Sequence, residues 1–157
     1  MMSQKIRVVR WVIGLEAVAL LALLAAPGYI AGRTRQRGAK VAADLKRVVT
    51  GAETAFASTG EWPDDSGPGD MPERLKGFLP MPVRFEQDGC QIDWDHWKLS
   101  DGAEDFSPRS EFVAVSVITP DTRLARSIVE AMGSDHLHFV VGDRSTFILA
   151  GPTSTRN

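Results

Sequence analysis

One cysteine, Cys90, among 157 residues allows no intrachain disulfide, so no covalent staple holds this chain and cysteine usage does not reveal its redox compartment. The patterns of common active sites are missing as well. There is no G-x-S-x-G nucleophile turn, no H-E-x-x-H pair, and no Walker-type or dinucleotide-binding glycine pattern. Gly67-Pro68-Gly69 contains a proline and precedes no helix of useful length, so it reads as a turn. No internal repeat is evident. These absences point to a protein that is not an enzyme and that has no small-molecule substrate. Acids are scarce in residues 1–50, where Lys and Arg outnumber Asp and Glu by 9 to 2. After residue 50 the balance reverses to 9 against 18. An acidic C-terminal part excludes nucleic acid as a partner, while a basic collar beside an apolar run suits anionic lipid headgroups.

That apolar run is Trp11–Ile30, WVIGLEAVALLALLAAPGYI, whose only charge is Glu16. Twenty helical residues at about 1.5 Å each reach about 30 Å, the thickness of a bilayer's hydrocarbon core. The run exceeds the apolar stretch of a cleaved signal peptide, and Ala25-Ala26-Pro27 is a poor cleavage site, so it reads as a retained, single-pass anchor. A carboxylate in such a span costs roughly 2.5 to 3.5 kcal/mol to insert and usually meets a partner in a neighbouring helix. Alternatively, Glu16 snorkels to the near interface or stays protonated. Small residues, among them Ala19, Ala22 and Ala26, let helices approach closely within lipid, and Pro27 marks a possible bend. Three basic residues precede the span and six follow it, so a plain positive-inside count puts the C-terminal part inside.

Beyond the span the helical pattern continues. Val41, Leu45, Val48, Val49, Ala52 and Phe56 form a stripe of period 3.6, with Lys40, Asp44, Lys46, Arg47 and Glu53 on the opposite face. One long helix from about Arg7 to Ser58 is the reading, with Gly32, Gly38 and Gly51 as its weak points. It ends at Ser58-Thr59-Gly60, and a turn-rich loop and a short helical turn from Pro72 to Phe78 follow. Strands are expected at Val83–Gln87 and Gln91–Leu99 around an Asp88-Gly89 turn, at Glu111–Thr119, and at Leu137–Val141 and Ser145–Ala150 around Gly142-Asp143-Arg144. Asp101–Ser110 reads as a polar loop. A second helix opens with Thr119 as N-cap and Pro120 at its first position and closes at Gly133. The fold class is therefore α+β, an antiparallel sheet packed on the second half of a long helix with one further helix. The divisions are a basic tail at 1–10, a span at 11–30, a helical continuation at 31–58 and a globular domain at 59–157.

Alternation along the second strand sets Ile92, Trp94 and His96 against Asp93, Asp95 and Trp97, which reads as one buried face and one of solvated acids. Trp94 and Trp97 are the candidates for contact with a partner. Asp64, Asp65 and Asp70 lie in a glycine-containing loop and are the candidate calcium ligands, although they match no EF-hand register; no other cofactor is expected. His136-x-His138 lacks placed third and fourth metal ligands.

An apolar N-terminal helix holding one Glu, running through Ala39-Lys40-Val41-Ala42-Ala43-Asp44-Leu45-Lys46 to Ala55-Phe56 and a Gly60-x-Trp62-Pro63 exit, resembles the type IV pilins and type II secretion pseudopilins over residues 7–63. The resemblance implies a structural subunit of the inner or cytoplasmic membrane that assembles with itself or with other pilin-like subunits, its basic tail cytoplasmic and its sheet domain extracytoplasmic. It also implies a glutamate that binds a neighbour's terminal amine after cleavage behind a glycine, and calcium in the globular part of some members. Two positions depart from that pattern. Spacing from Glu16 puts Trp11 where the cleavage glycine belongs, and aligning the family's proline with Pro27 puts Arg10 where the glutamate belongs. The alternative is an anchored, non-polymerising domain that binds a partner outside the cytoplasm.

Overall fold

The computed structural model describes residues 2–79, 83–98, 111–134 and 136–151, with side chains from Gly28 onward. It divides into two compact units, Met1–Gln36 and Arg37–Asn157. The first is helical and belongs to α1 (Met2–Thr59). The side chains of Glu16, Ala19, Ala22, Ala26 and Pro27 lie outside the described residues, as does the loop at 101–110. Among the residues described with side chains, from Gly28 onward, no helix is long and apolar enough to cross a membrane.

In the second unit the expected stripe does what its spacing demands. Val41, Leu45, Val48, Val49 and Ala52 are buried in one core with residues of the sheet and of α2 (Thr122–Met132). Phe56, the last member of the stripe, is partly exposed and stacks on Trp62 with ring centroids 4.5 Å apart. Asp44 departs from the solvated face expected for it. Its side chain is buried, and its two oxygens accept from Arg47 Nη1 at 2.7 Å and from Gln87 Nε2 at 3.0 Å. Two of the supposed weak points of the helix are points of close approach. A Cβ on Gly38 would lie 2.3 Å from Ser127 Oγ of α2, and one on Gly51 would lie 2.7 Å from Leu79 Cδ2. The helix trades propensity for packing at both. It stops where Gly60 takes φ +76°, a left-handed conformation that only glycine adopts freely.

Among the described residues five strands follow: β1 (Glu86–Gln87), β2 (Cys90–Lys98), β3 (Glu111–Ile118), β4 (His138–Val141) and β5 (Arg144–Ala150). They form one antiparallel sheet in the order β1-β2-β3-β5-β4. The Asp88-Gly89 turn lies where expected, but β1 is only two residues long. In the second hairpin Arg144 already belongs to β5, leaving Gly142-Asp143 as the turn. The helical turn expected over 72–78 contains a 3₁₀ segment, Glu73–Leu75. The N-cap of α2 is Asp121 rather than Thr119, because the Asp121 carboxylate accepts from the backbone N–H groups of Arg123 and Leu124. Thr119 instead donates to the Gly89 carbonyl at 2.8 Å, tying the end of β3 to the first turn.

Register assigns the two faces of the sheet. Ile92 and Trp94 of β2 share a face with Val113, Val115 and Val117 of β3 and with Phe147 of β5, and all belong to the core that holds α1 and α2. Asp93, Asp95, Ala114, Ser116, Arg144 and Thr146 share the other face. The expectation that β3 is buried on both sides holds, since Ala114 and Ser116 are as inaccessible as the valines.

Candidate functional site

On that second face three adjacent strands bring together the densest polar cluster of the described residues. Asp93, Ser116 and Thr146 are paired across β2, β3 and β5, and Asp95 stands two residues along β2 from Asp93. Arg144 reaches over them from the start of β5. Its Nη1 donates to both oxygens of Asp95 at 3.1 Å each, and its Nη2 donates to Asp93 Oδ2. Ser116 Oγ donates to Asp95 Oδ2 at 2.6 Å and lies 2.9 Å from Thr146 Oγ1. Both acids are buried, Asp93 at 2% exposure and Asp95 at 4%, which overturns their reading as solvated residues. A polar–apolar alternation marks a wet face only where water reaches it, and at Asp93 and Asp95 both faces of β2 are buried.

Two carboxylates share one guanidinium, so the cluster carries one negative charge more than it neutralises. The strain falls on Asp93. Burial first, and then the charge of Asp95, push its carboxyl above the ordinary aspartate range, with Arg144 pulling the other way. Its Oδ1 is buried and makes no hydrogen bond. The folded protein therefore holds a proton on Asp93 at a pH where the unfolded chain has released it. That contribution to stability is fully present below the ordinary aspartate value and is lost as pH rises through the raised value. Asp93→Asn removes the titration. Its stability relative to the parent, read from urea midpoints between about pH 4 and pH 7, is expected to improve as pH rises; a constant difference would show that Asp93 titrates alike in both states.

A second polar region is a cleft of about 1160 Å³ between α1 and the first hairpin, lined by Arg37, Lys40, Arg47, Arg84, Asp44 and Asp88 among others. Much of its charge is internally matched, Asp44 by Arg47 and Asp88 by Arg37 at 3.8 Å. It therefore presents mixed sign rather than a strong field of either.

The residues singled out in the sequence are dispersed. Trp94 is wholly buried, its Nε1 donating to the Pro63 carbonyl at 2.9 Å and its ring tilted against Trp62 at 6.3 Å, so it presents no surface to a partner. Trp97 is exposed and stacks on Phe112 with centroids 5.2 Å apart. In the loop of candidate calcium ligands, Asp65 Oδ1 accepts from the Gly67 N–H at 3.1 Å, and Ser66 Oγ donates to the Asp70 carbonyl at 2.8 Å. Asp64 lies exposed in the same loop. Among the described residues no group of three or more His, Cys, Asp or Glu side chains could hold a metal ion.

No known protein family matches the chain, nor does any curated protein or solved structure. What the second face can do follows from its own chemistry. A guanidinium clamped by two carboxylates ties the start of β5 to β2, and the apolar residues of β4 in the same hairpin are exposed. Arg144 does not stand out in the sequence as a site residue, because it lies in what reads as a turn tripeptide. The available signal was a basic residue directly after Gly-Asp with two buried-strand acids to meet it.

Proposed function

We propose that this chain is a membrane-anchored, pilin-like or pseudopilin-like structural subunit that works by assembly through its N-terminal helix rather than by chemistry. The observation that carries the reading is the division of labour along α1. Residues 11–30 form an apolar run with a single acid, while Val41–Ala52 of the same helix serve as the core of an antiparallel sheet domain. A domain that needs only the second half of a 58-residue helix for its core leaves the first half for lipid or for other helices. In this reading Glu16 pairs with a cationic group of a neighbouring copy, Lys5 or Arg7, while Ala19, Ala22 and Ala26 allow close packing and Pro27 sets the course of the helix. The globular domain lies outside the cytoplasm, as the family resemblance implies.

Glu16→Ala tests this directly. Cross-linked ladders of the full chain in membranes are expected to disappear, while resistance of the chain to carbonate extraction is retained or improved, because the substitution removes roughly 2.5 to 3.5 kcal/mol of insertion cost. Ladders unchanged by the substitution would refute the pairing. The second reading, an anchored domain that binds a partner through its sheet, is favoured by the exposed Trp97–Phe112 stack. It predicts a monomer in mild detergent and tolerance of Ala-to-Leu changes in residues 11–30.

A further inference from the structure

The two edges of the sheet differ in how they are guarded. The β1 edge is two residues long and bears Glu86 beside Arg84. The β4 edge has no charge and no proline from Leu137 to Val141, and its apolar side chains are open to solvent: Leu137 at 74%, Phe139 at 44%, Val140 at 55% and Val141 at 66%. Edges of this kind are normally blunted by lysine, proline or a bulge, and when left bare they pair with another strand.

The hydrogen-bond phase of β4 determines which strand fits. The Ile148 N–H donates to the Leu137 carbonyl at 2.9 Å, so Leu137 points its backbone groups into the sheet. By antiparallel alternation Phe139 and Val141 do the same, and His138 and Val140 direct their N–H and C=O groups at the free edge. An incoming strand must satisfy two donors and two acceptors two residues apart. A second copy of β4 running antiparallel does this when His138 faces Val140 of the other copy and Val140 faces His138. In that register Phe139 faces Phe139 and Leu137 faces Val141, so no Asp, Glu, Lys or Arg is buried and the pairs are apolar except for His138 against Val140. Side chains also match by face. Leu137, Phe139 and Val141 lie on the face of Arg144 and Thr146, and a two-fold axis perpendicular to the sheet keeps them on one side in both copies.

We propose that β4 is a homotypic docking edge, joining two copies of this chain strand to strand about a two-fold axis through Phe139. A contact this short covers well under the about 800 Å² per partner of a stable interface, so it forms where copies are already concentrated. For that local concentration the proposal rests on the anchored reading above, since tethering in one membrane converts a weak contact into an effectively intramolecular one.

The test is disulfide trapping in the full chain in membranes. Phe139→Cys places two thiols at a non-hydrogen-bonded antiparallel pair, about 4.5 Å apart at Cα and within disulfide range. Cys90 is buried and burial raises its thiol pKa, so the parent chain serves as the unreactive control. Mild oxidation is expected to convert Phe139→Cys to a species of twice the chain mass, while His138→Cys and Val140→Cys stay monomeric. Adding Val140→Lys to Phe139→Cys is expected to abolish the dimer without disturbing the ladder to β5. A dimer from Val140→Cys but not from Phe139→Cys, a cross-link of any other mass, or no cross-link at all would overturn the proposal. Carbonate extraction of the same samples separates the two readings. Chain released from membranes that still traps through Phe139→Cys overturns the anchor and keeps the edge; retained chain that does not trap overturns the edge and keeps the anchor.

Discussion

Replacing Arg144 by methionine is expected to cost about 3 kcal/mol of folding stability, the low end of the range for removing one partner of a buried ion pair, because the Arg144 side chain is 31% exposed while both acids are buried. Methionine keeps a flexible apolar stem, so the loss measures charge and hydrogen bonding rather than volume. Asp93 and Asp95 would be left as neighbours on one face of β2; among the described residues only the Ser116 hydroxyl would remain to bond Asp95, and Asp93 would lose its one hydrogen-bond donor. Adding Asp93→Asn and Asp95→Asn should return most of the loss, because the surviving groups are then neutral. Urea midpoints of the parent, the single and the triple variant read both effects, and the triple variant remains informative if the single one fails to fold. A loss below about 1 kcal/mol would mean that the acids are solvated, as exposed ion pairs contribute no more than that.

Trp94→Ala is the second large effect, with about 3 to 5 kcal/mol expected for the loss of a buried aromatic side chain. The site has little freedom to collapse. The indole is wholly buried in the core that also holds the α1 stripe and the β3 valines, and its ring lies against Trp62, which in turn stacks on Phe56 near the end of α1. The end of α1 and its exit loop are thereby joined to β2 through one row of rings. Trp94→Phe separates volume from hydrogen bonding. The Pro63 carbonyl would lose the indole N–H but keep the His96 Nδ1 contact at 3.0 Å, so about 1 kcal/mol is expected. Thermal or urea unfolding ranks the two. Equal losses would mean that the hydrogen bond, not the packing, holds the loop to the sheet.

Much of this architecture is legible in the residues because local rules and the global fold agree. The stripe from Val41 to Ala52 has one face to bury, Asp88-Gly89 and Gly142-Asp143 can do little but turn, and the apolar β3 had to be central. What could not be read depends on register. That Asp93, Ser116 and Thr146 lie side by side follows only once three strands are paired, and an acid next to a buried tryptophan looks the same in sequence whether water or a guanidinium meets it. The N-cap shifted by two residues for a comparable reason. Thr119 and Asp121 are both good caps, and the distant Gly89 carbonyl took the threonine. Glycines in helices carry the same ambiguity, since a weak point and a point of close approach have identical local sequence.

The position of Arg144 also sets an order of events during synthesis. Asp93 and Asp95 leave the ribosome about fifty residues before their counter-charge, and β5, which lies between β3 and β4, emerges last of the described strands. A nascent chain stalled before Arg144 can form α1, the first hairpin and β3. It cannot bury the acid pair, because no cation has yet arrived to meet it. The described sheet therefore closes only once β5 has emerged, with the β4–β5 hairpin acting as the keystone.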